Sequence, residues 1–258
     1  MFGTIVYEVE DSIARITLNR PDKFNAFTEQ MHKEMIEAFK RADKDPGVRC
    51  IVLTGAGKAF NAGQDLGDVQ GQDIDFGEFL RKRYNPLITQ MRKTEKPILA
   101  AVNGVAAGAG MSLALACDIR LASEKASFVN VFVSIGLVPD SGGCYFLPRI
   151  VGIGKALELA MTGDKVTAEE AYRIGLVSKV YPAETFEADT MEYARKLAKL
   201  PTKAIGLIKR SMYKGLHMTL EETLEYEALV QEIAGSTEDH KEGVAAFFEK
   251  RTPVFKGK

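Results

Sequence analysis

Two glycine-rich segments are the first residues of this 258-residue chain whose pattern points to chemistry: Thr54-Gly-Ala-Gly-Lys-Ala-Phe-Asn-Ala-Gly-Gln-Asp-Leu66 and Asn103-Gly-Val-Ala-Ala-Gly-Ala-Gly110. Each follows an apolar run. Glycine permits sharp turns and leaves neighbouring N–H groups open to a ligand, although each segment alone also reads as an ordinary tight turn. A dinucleotide fingerprint fits poorly, because Gly55-x-Gly57 is followed by Phe60 where a third glycine belongs, and no phosphate loop ending in Gly-Lys-Ser or Gly-Lys-Thr is present. Nucleotide cofactors are disfavoured, and no cofactor is expected. An acid stands in a related setting, Asp140 in Ile135-Gly-Leu-Val-Pro-Asp-Ser-Gly-Gly143. By type it is either a turn-forming or capping residue before Gly142 and Gly143, or a proton carrier. His32, His217 and His240 are scattered through charged helical contexts, which predicts surface positions and no metal site. Ser112 and Cys144 have no histidine near them in sequence and read as small helix-packing residues rather than nucleophiles. Phe76, Phe79, Leu80 and Tyr84 form an apolar stripe that reads as core, with a wall of a substrate pocket as the alternative.

The elements that must hold these segments follow from the periodicity. Short β-rich runs at 5–9, 13–18, 50–54, 98–102 and 119–122 alternate with glycine-containing turns. A helix is predicted from 29 to about 41, capped by Thr28, with Met31, Met35, Ile36, Phe39 and Ala42 at helical spacing. Beyond Lys155 nearly every segment reads as helical. Thr167 with Glu170, Thr219 with Glu222 and Ser236 with Asp239 are capping pairs, and Gly163, Gly175 and Gly235 are expected to close helices. The class is α/β, with a β-rich core over 1–200 and a helical region over 201–258. No long linker, low-complexity tract or fixed-period repeat is visible.

Composition excludes several function classes. With 34 basic and 35 acidic residues the net charge is -1, so no global field favours nucleic acid. Cys50, Cys117 and Cys144 are odd in number with no CxxC spacing, and the first residues lack a basic-then-apolar leader. A cytoplasmic protein with reduced thiols is expected. The least polar run, 98–116, contains Asn103 and several glycines and reads as strand, turn and helix, so no membrane span is predicted.

Leu18-Asn-Arg-Pro21 with Asn25-Ala26, the segment from Ala59 to Leu66, the segment from Ala101 to Gly110, and Cys117-Asp118 keep an order and spacing that resembles the successive signature blocks of the crotonase (enoyl-CoA hydratase/isomerase) superfamily. The resemblance covers essentially the whole chain. It implies a crotonase-type spiral of ββα units, followed by C-terminal helices that trimerise, often as a dimer of trimers. It implies an acyl-CoA thioester substrate and allows a second crotonase-family subunit as partner. It also implies two backbone N–H groups that hold the thioester oxygen, by position those of Gln64 and Ala109. Removing a proton beside a thioester carbonyl makes an enolate, and each preorganised donor in a dry pocket is worth roughly 3 kcal/mol to it. The coenzyme is expected along Lys23 and Phe24 and along Ala62, Gly63, Asp65 and Leu66, with Asp65 chiefly bracing the loop. Tyr84, Gly108, Val131 and Pro139 complete the substrate-binding set, and Lys250 is a candidate to reach a neighbouring subunit's phosphates.

Hydratases of the superfamily carry two glutamates, which fall by position on Ser112 and Phe132, so hydration chemistry is not expected here. The superfamily's double-bond isomerases carry their carboxylate at the position of Asp140. One base suffices to move a proton between two carbons on one face. Shorter blocks, Ala62-Gly-Gln-Asp-Leu66, Tyr84-Asn-Pro-Leu87, Gly136-Leu-Val-Pro-Asp140 and the tail from Lys250 to Lys258, are similar to the ring-epoxide isomerases of phenylacetate catabolism. The implied activity is 2-(1,2-epoxy-1,2-dihydrophenyl)acetyl-CoA isomerisation with double-bond isomerase capability. An enoyl-CoA hydratase of fatty-acid degradation and a non-catalytic crotonase-fold subunit are the alternatives.

Overall fold

Asp11 and Ser12, both at positive φ, turn the chain between β1 (Ile5–Glu10) and β2 (Ile13–Leu18) in an antiparallel hairpin. The computed structural model describes residues 2–68, 71 and 75–258. Helix α1 (Glu29–Lys44) starts where Thr28 Oγ1 accepts from Met31 N, as expected, and continues past the predicted end. It buries Met31, Met35, Phe39 and Ala42 against the sheet.

Three successive units then repeat one path. Strand β3 (Cys50–Gly55) leads to short β4 (Ala59–Asn61) and on to α2 (Phe76–Phe79) and α3 (Asn85–Lys93), which a π-helical stretch, Leu80–Tyr84, joins. Strand β5 (Ile98–Val102) leads to β6 (Val105–Ala107) and α4 (Ala109–Ala116). Strand β7 (Ile119–Ser123) leads to β8 (Ser127–Val129), a 3-10 turn at Val131–Ile135, α5 (Gly143–Val151) and α6 (Ile153–Thr162). The chain continues through β9 (Lys165–Thr167), α7 (Ala168–Arg173), β10 (Lys179–Tyr181), α8 (Phe186–Ala198), α9 (Thr202–Gly215), α10 (Leu220–Gly235) and α11 (Glu238–Glu249). The large sheet has the order β1-β2-β3-β5-β7-β10, parallel except for the first pair. The small sheet has the order β4-β6-β8-β9, with β9 antiparallel. This is the expected spiral of ββα units.

Alternate residues of β3 serve different cores, because successive side chains of a strand point to opposite faces. Ile51 and Leu53 face the main core with α1, while Cys50 and Val52 face Phe186, Ala194 and Ala198 of α8. Every residue of α4 is buried, so this helix has no polar face.

The C-terminal helices are tied back to the core. Arg49 donates to Thr202 Oγ1, Leu200 O and Phe255 O, and Asp239 accepts from the amides of Lys256 and Gly257. The Thr167 and Thr219 caps form, the latter as a full capping box. The third cap falls on Thr237, not Ser236: Thr237 Oγ1 accepts from His240 N, while Ser236 ends α10 and donates to Ile233 O. Gly163 and Gly175 close helices at positive φ, whereas Gly235 is simply the last helical residue, with the cap passed to Ser236. Among the described residues no helix is long and apolar enough to cross a membrane.

Candidate active site

Backbone contact between two glycine-rich loops builds the centre of the site. A Cβ on Gly63 would stand 3.1 Å from Ala107 O and 3.7 Å from Ala109 N, and one on Gly110 would stand 2.2 Å from Asn61 O. Only glycine lets these chains meet. Buried Asn61 holds the first loop, accepting from Gly63 N at 2.8 Å and donating to Asn25 O at 2.6 Å. An isolated parallel bridge pairs Phe27 with Gln64, through Phe27 N to Gly63 O and Asp65 N to Phe27 O.

Within this frame the Gln64 amide donates no hydrogen bond among the described residues. Ala109 is the first residue of α4, so its N–H has no acceptor one turn back. The two open donors therefore flank Gly63, and the positive end of α4 adds to the potential at Ala109. Gly108 (φ 53, ψ -123) lies where an L-residue is strained, and a Cβ there would meet Val131 Cγ2 at 3.2 Å and Phe132 Cζ at 3.9 Å. Val131 and Phe132 thus cover the entry to α4.

Asp140 forms the turn through its backbone, and its side chain is not part of it. Its carbonyl forms the turn, accepting from Gly143 N at 2.7 Å, with Ser141 (φ 53) and Gly142 (φ 83) both at positive φ. Its side chain caps nothing: α5 starts at Gly143, with Gly142 as its N-cap and no side-chain cap. Instead Ser141 Oγ donates to Asp140 Oδ1 at 2.8 Å, and Asp140 makes no ion pair among the described residues. Burial raises its pKa above the usual carboxylate range, and the Ser141 hydroxyl only partly offsets this. The Tyr84 phenol has its pKa raised well above the ordinary value, chiefly by burial and next by the Asp140 charge. Buried Ser112 packs behind this turn, its Oγ 2.9 Å from where a Cβ on Gly143 would lie, beside Pro139. Ser112 and Phe132 are both buried, as small and apolar packing respectively.

The remaining expected residues form the rim. Lys23 and Phe24 are exposed, and Phe24 O accepts from Ala62 N at 3.1 Å, which joins the outer loop to the 62–66 loop. Leu66 is exposed. Asp65 braces this loop: its carboxylate pairs with Arg20 at 2.9 Å and accepts from Gly67 N, and the Arg20 hydrogen bond is the main reason its pKa is lowered.

Three readings need correction. His32 is not at the surface. It lies on the same helical stripe as Met35 and Phe39, 1% exposed, stacked on Phe27 and edge-on to Tyr84. The flanking charges hid a spacing that was visible. Cys144 does not pack inside a helix interface but is exposed near the start of α5, its thiol 3.3 Å from Pro139 O. Phe76, read as core, is 56% exposed. Among the described residues no cluster of potential metal ligands forms. The arrangement can polarise a carbonyl with two backbone donors and carry one proton on one carboxylate.

The family model described as enoyl-CoA hydratase/isomerase matches residues 8–258. The chain is 42% identical to the 1,2-epoxyphenylacetyl-CoA isomerase of Escherichia coli K12 over the full length of both. It is also 42% identical to a Rhodobacter capsulatus protein described as "Probable enoyl-CoA hydratase", covering 100% of this chain and 99% of that one. A crystal structure of an enoyl-CoA hydratase subunit from Geobacillus kaustophilus superposes with a TM-score of 0.94 at 38% identity, covering 100% of this chain and 99% of that one.

Proposed function

The chain belongs to the enoyl-CoA hydratase/isomerase family, and from that premise we propose that it is a cofactor-free acyl-CoA isomerase. Its substrate is 2-(1,2-epoxy-1,2-dihydrophenyl)acetyl-CoA, with double-bond isomerisation of related acyl-CoA esters as a second capability, in the cytoplasmic degradation of phenylacetate. One observation carries this reading: Asp140 is a half-buried carboxylate with no ion pair among the described residues, while Ser112 and Phe132, to which the family resemblance assigns the positions of the hydratase acids, are buried and cannot ionise as carboxylates.

The chemistry follows from the parts. The N–H groups of Gln64 and Ala109 hold the thioester oxygen. Asp140 takes a proton from the CH2 beside the carbonyl, and the charge passes to that oxygen as an enolate. Return of the same proton to the far end of the conjugated system completes a double-bond shift with no net gain or loss of atoms. The epoxide substrate also has a CH2 between the thioester carbonyl and the ring, and loss of a proton there gives the same kind of enolate. The 42% identity to the E. coli epoxide isomerase supports that substrate. An equal identity to the R. capsulatus protein favours hydration as the competing reading.

The C-terminal helices are assigned to self-association. Ile208, Met212, Leu220, Leu224 and Phe247 on α9, α10 and α11, and Leu216 just past the end of α9, are all more than half exposed, as expected of faces that a partner copy covers. Light scattering should give a trimer or a dimer of trimers.

The test is a panel of aromatic and aliphatic acyl-CoA esters, with no added cofactor, followed by absorbance and product mass. Mass-neutral conversion of the epoxide supports the proposal; addition of water as the main reaction refutes it.

A further inference from the structure

Tyr84 lies at the site but has no part in the chemistry above. It is 2% exposed, and its hydroxyl donates to Gln64 Oε1 at 2.8 Å. Gln64 Nε2 in turn donates to Phe27 O at 3.2 Å and to Asp65 O at 3.0 Å. One side chain therefore links the β-bridge at Phe27, the oxyanion loop itself and the helical segment that carries Tyr84. The phenol is spent on the side chain of the residue whose backbone N–H has no acceptor among the described residues.

Tyr84 is itself fixed. It ends the π-helical stretch Leu80–Tyr84, a local widening that redirects side chains. Its ring meets Phe27 and His32 edge-on and Phe79 at a tilt. His32 Nδ1–H donates to Thr28 O, and burial pushes the imidazole pKa down to about 4, so the ring is neutral and its packing constant through the physiological range.

We infer that the Tyr84–Gln64 hydrogen bond is a clasp that sets the direction and rigidity of the Gln64 amide in the oxyanion hole, which makes Tyr84 a positioning residue. The inference deepens the isomerase reading and rests on it for the role of that amide. Preorganisation is where an oxyanion hole gains its effect, since a donor that must reorient during reaction loses much of its advantage.

The test compares Tyr84→Phe and Gln64→Leu, which keep ring, volume and backbone N–H but break the clasp, with their double variant. The primary readout is isotope-edited infrared of bound phenylacetyl-CoA labelled at the thioester carbonyl, whose stretch moves down when both donors engage it. Each single variant should return the stretch about halfway to its free value. Turnover number should fall about tenfold, part of the hundredfold or more lost when such a donor is removed, with Michaelis constants changed less than about threefold. The double variant should be no worse than the poorer single one. A wild-type stretch in both variants overturns the clasp, as does an altered stretch in Tyr84→Phe alone, which would assign the phenol directly to substrate. Because the stretch is read without turnover, it tests the clasp separately from the role of Asp140; Asp140→Asn should leave the stretch as in wild type.

Discussion

Replacing Asp140 with asparagine exchanges one carboxylate oxygen for NH2 and leaves the surrounding geometry supplied. The Ser141 hydroxyl still finds an acceptor at Oδ1, and Gly143 N still bonds the backbone carbonyl that forms the turn. Proton transfer is what is lost. General acid–base catalysis contributes about 10²–10⁴-fold, or ~2.7–5.4 kcal/mol at ~1.36 kcal/mol per tenfold. Asp140 is proposed both to remove and to return the proton, so turnover should fall by at least about a hundredfold. Stability should move the other way. Burial raises the folded pKa of Asp140 above its unfolded value, so the folded state binds more protons across that window and stability falls as pH rises through it. At neutral pH the charged form is therefore the unfavourable one, and Asp140→Asn should melt at or above the wild-type temperature, with any gain vanishing below the ordinary aspartate pKa. Turnover, Michaelis constant and a thermal melt measured together decide the matter. A variant with near wild-type turnover, or one whose loss lies entirely in the Michaelis constant, refutes proton transfer by Asp140.

The same raised pKa predicts that kcat/KM for the isomerisation rises with pH through a single ionisation above the ordinary aspartate value, because the base must be charged to act; a flat acid limb down to pH 4 would contradict it. Gly110→Ala would place a Cβ 2.2 Å from Asn61 O and 2.5 Å from Asn61 Oδ1, backbone and buried side chain that cannot both yield, so we expect a loss of about 1–3 kcal/mol of stability together with reduced turnover as the two donors separate. A fully active, equally stable variant would show that the loops need not touch. With Lys23 exposed beside the 62–66 loop, Michaelis constants should rise with salt while turnover changes little, and a thioester lacking the 3'-phosphoadenosine portion should lose that dependence. Crotonyl-CoA should bind yet hydrate far more slowly than the isomerase substrate turns over. Installing acids by Ser112→Glu with Phe132→Glu should destabilise the fold, since both positions are buried.

Much of this protein is decided by local preference and is legible in its residues. Strand alternation, the Thr28, Thr167 and Thr219 caps and the stripe of α1 depend on neighbours a few residues away, and they form where they were expected. Gly63, Gly108 and Gly110 show in advance that backbone must approach something closely, and the acid at 140, with none at 112 or 132, is read directly from the sequence. Other features depend on contacts between distant segments, whose geometry is set by sheet register and packing rather than by propensity. The three ββα units repeat a path without repeating residues, because what recurs is a pattern of burial between two sheets. The meeting of Gly63 with Ala109, the burial of His32 behind Tyr84, and the hydrogen bond from Tyr84 to Gln64 each join elements far apart in the chain. A tyrosine hydroxyl carries no sign in sequence of which acceptor it will find. Only the closing of α1, the glycine-rich loop at Gln64 and the π-helical turn onto one core gives it Gln64.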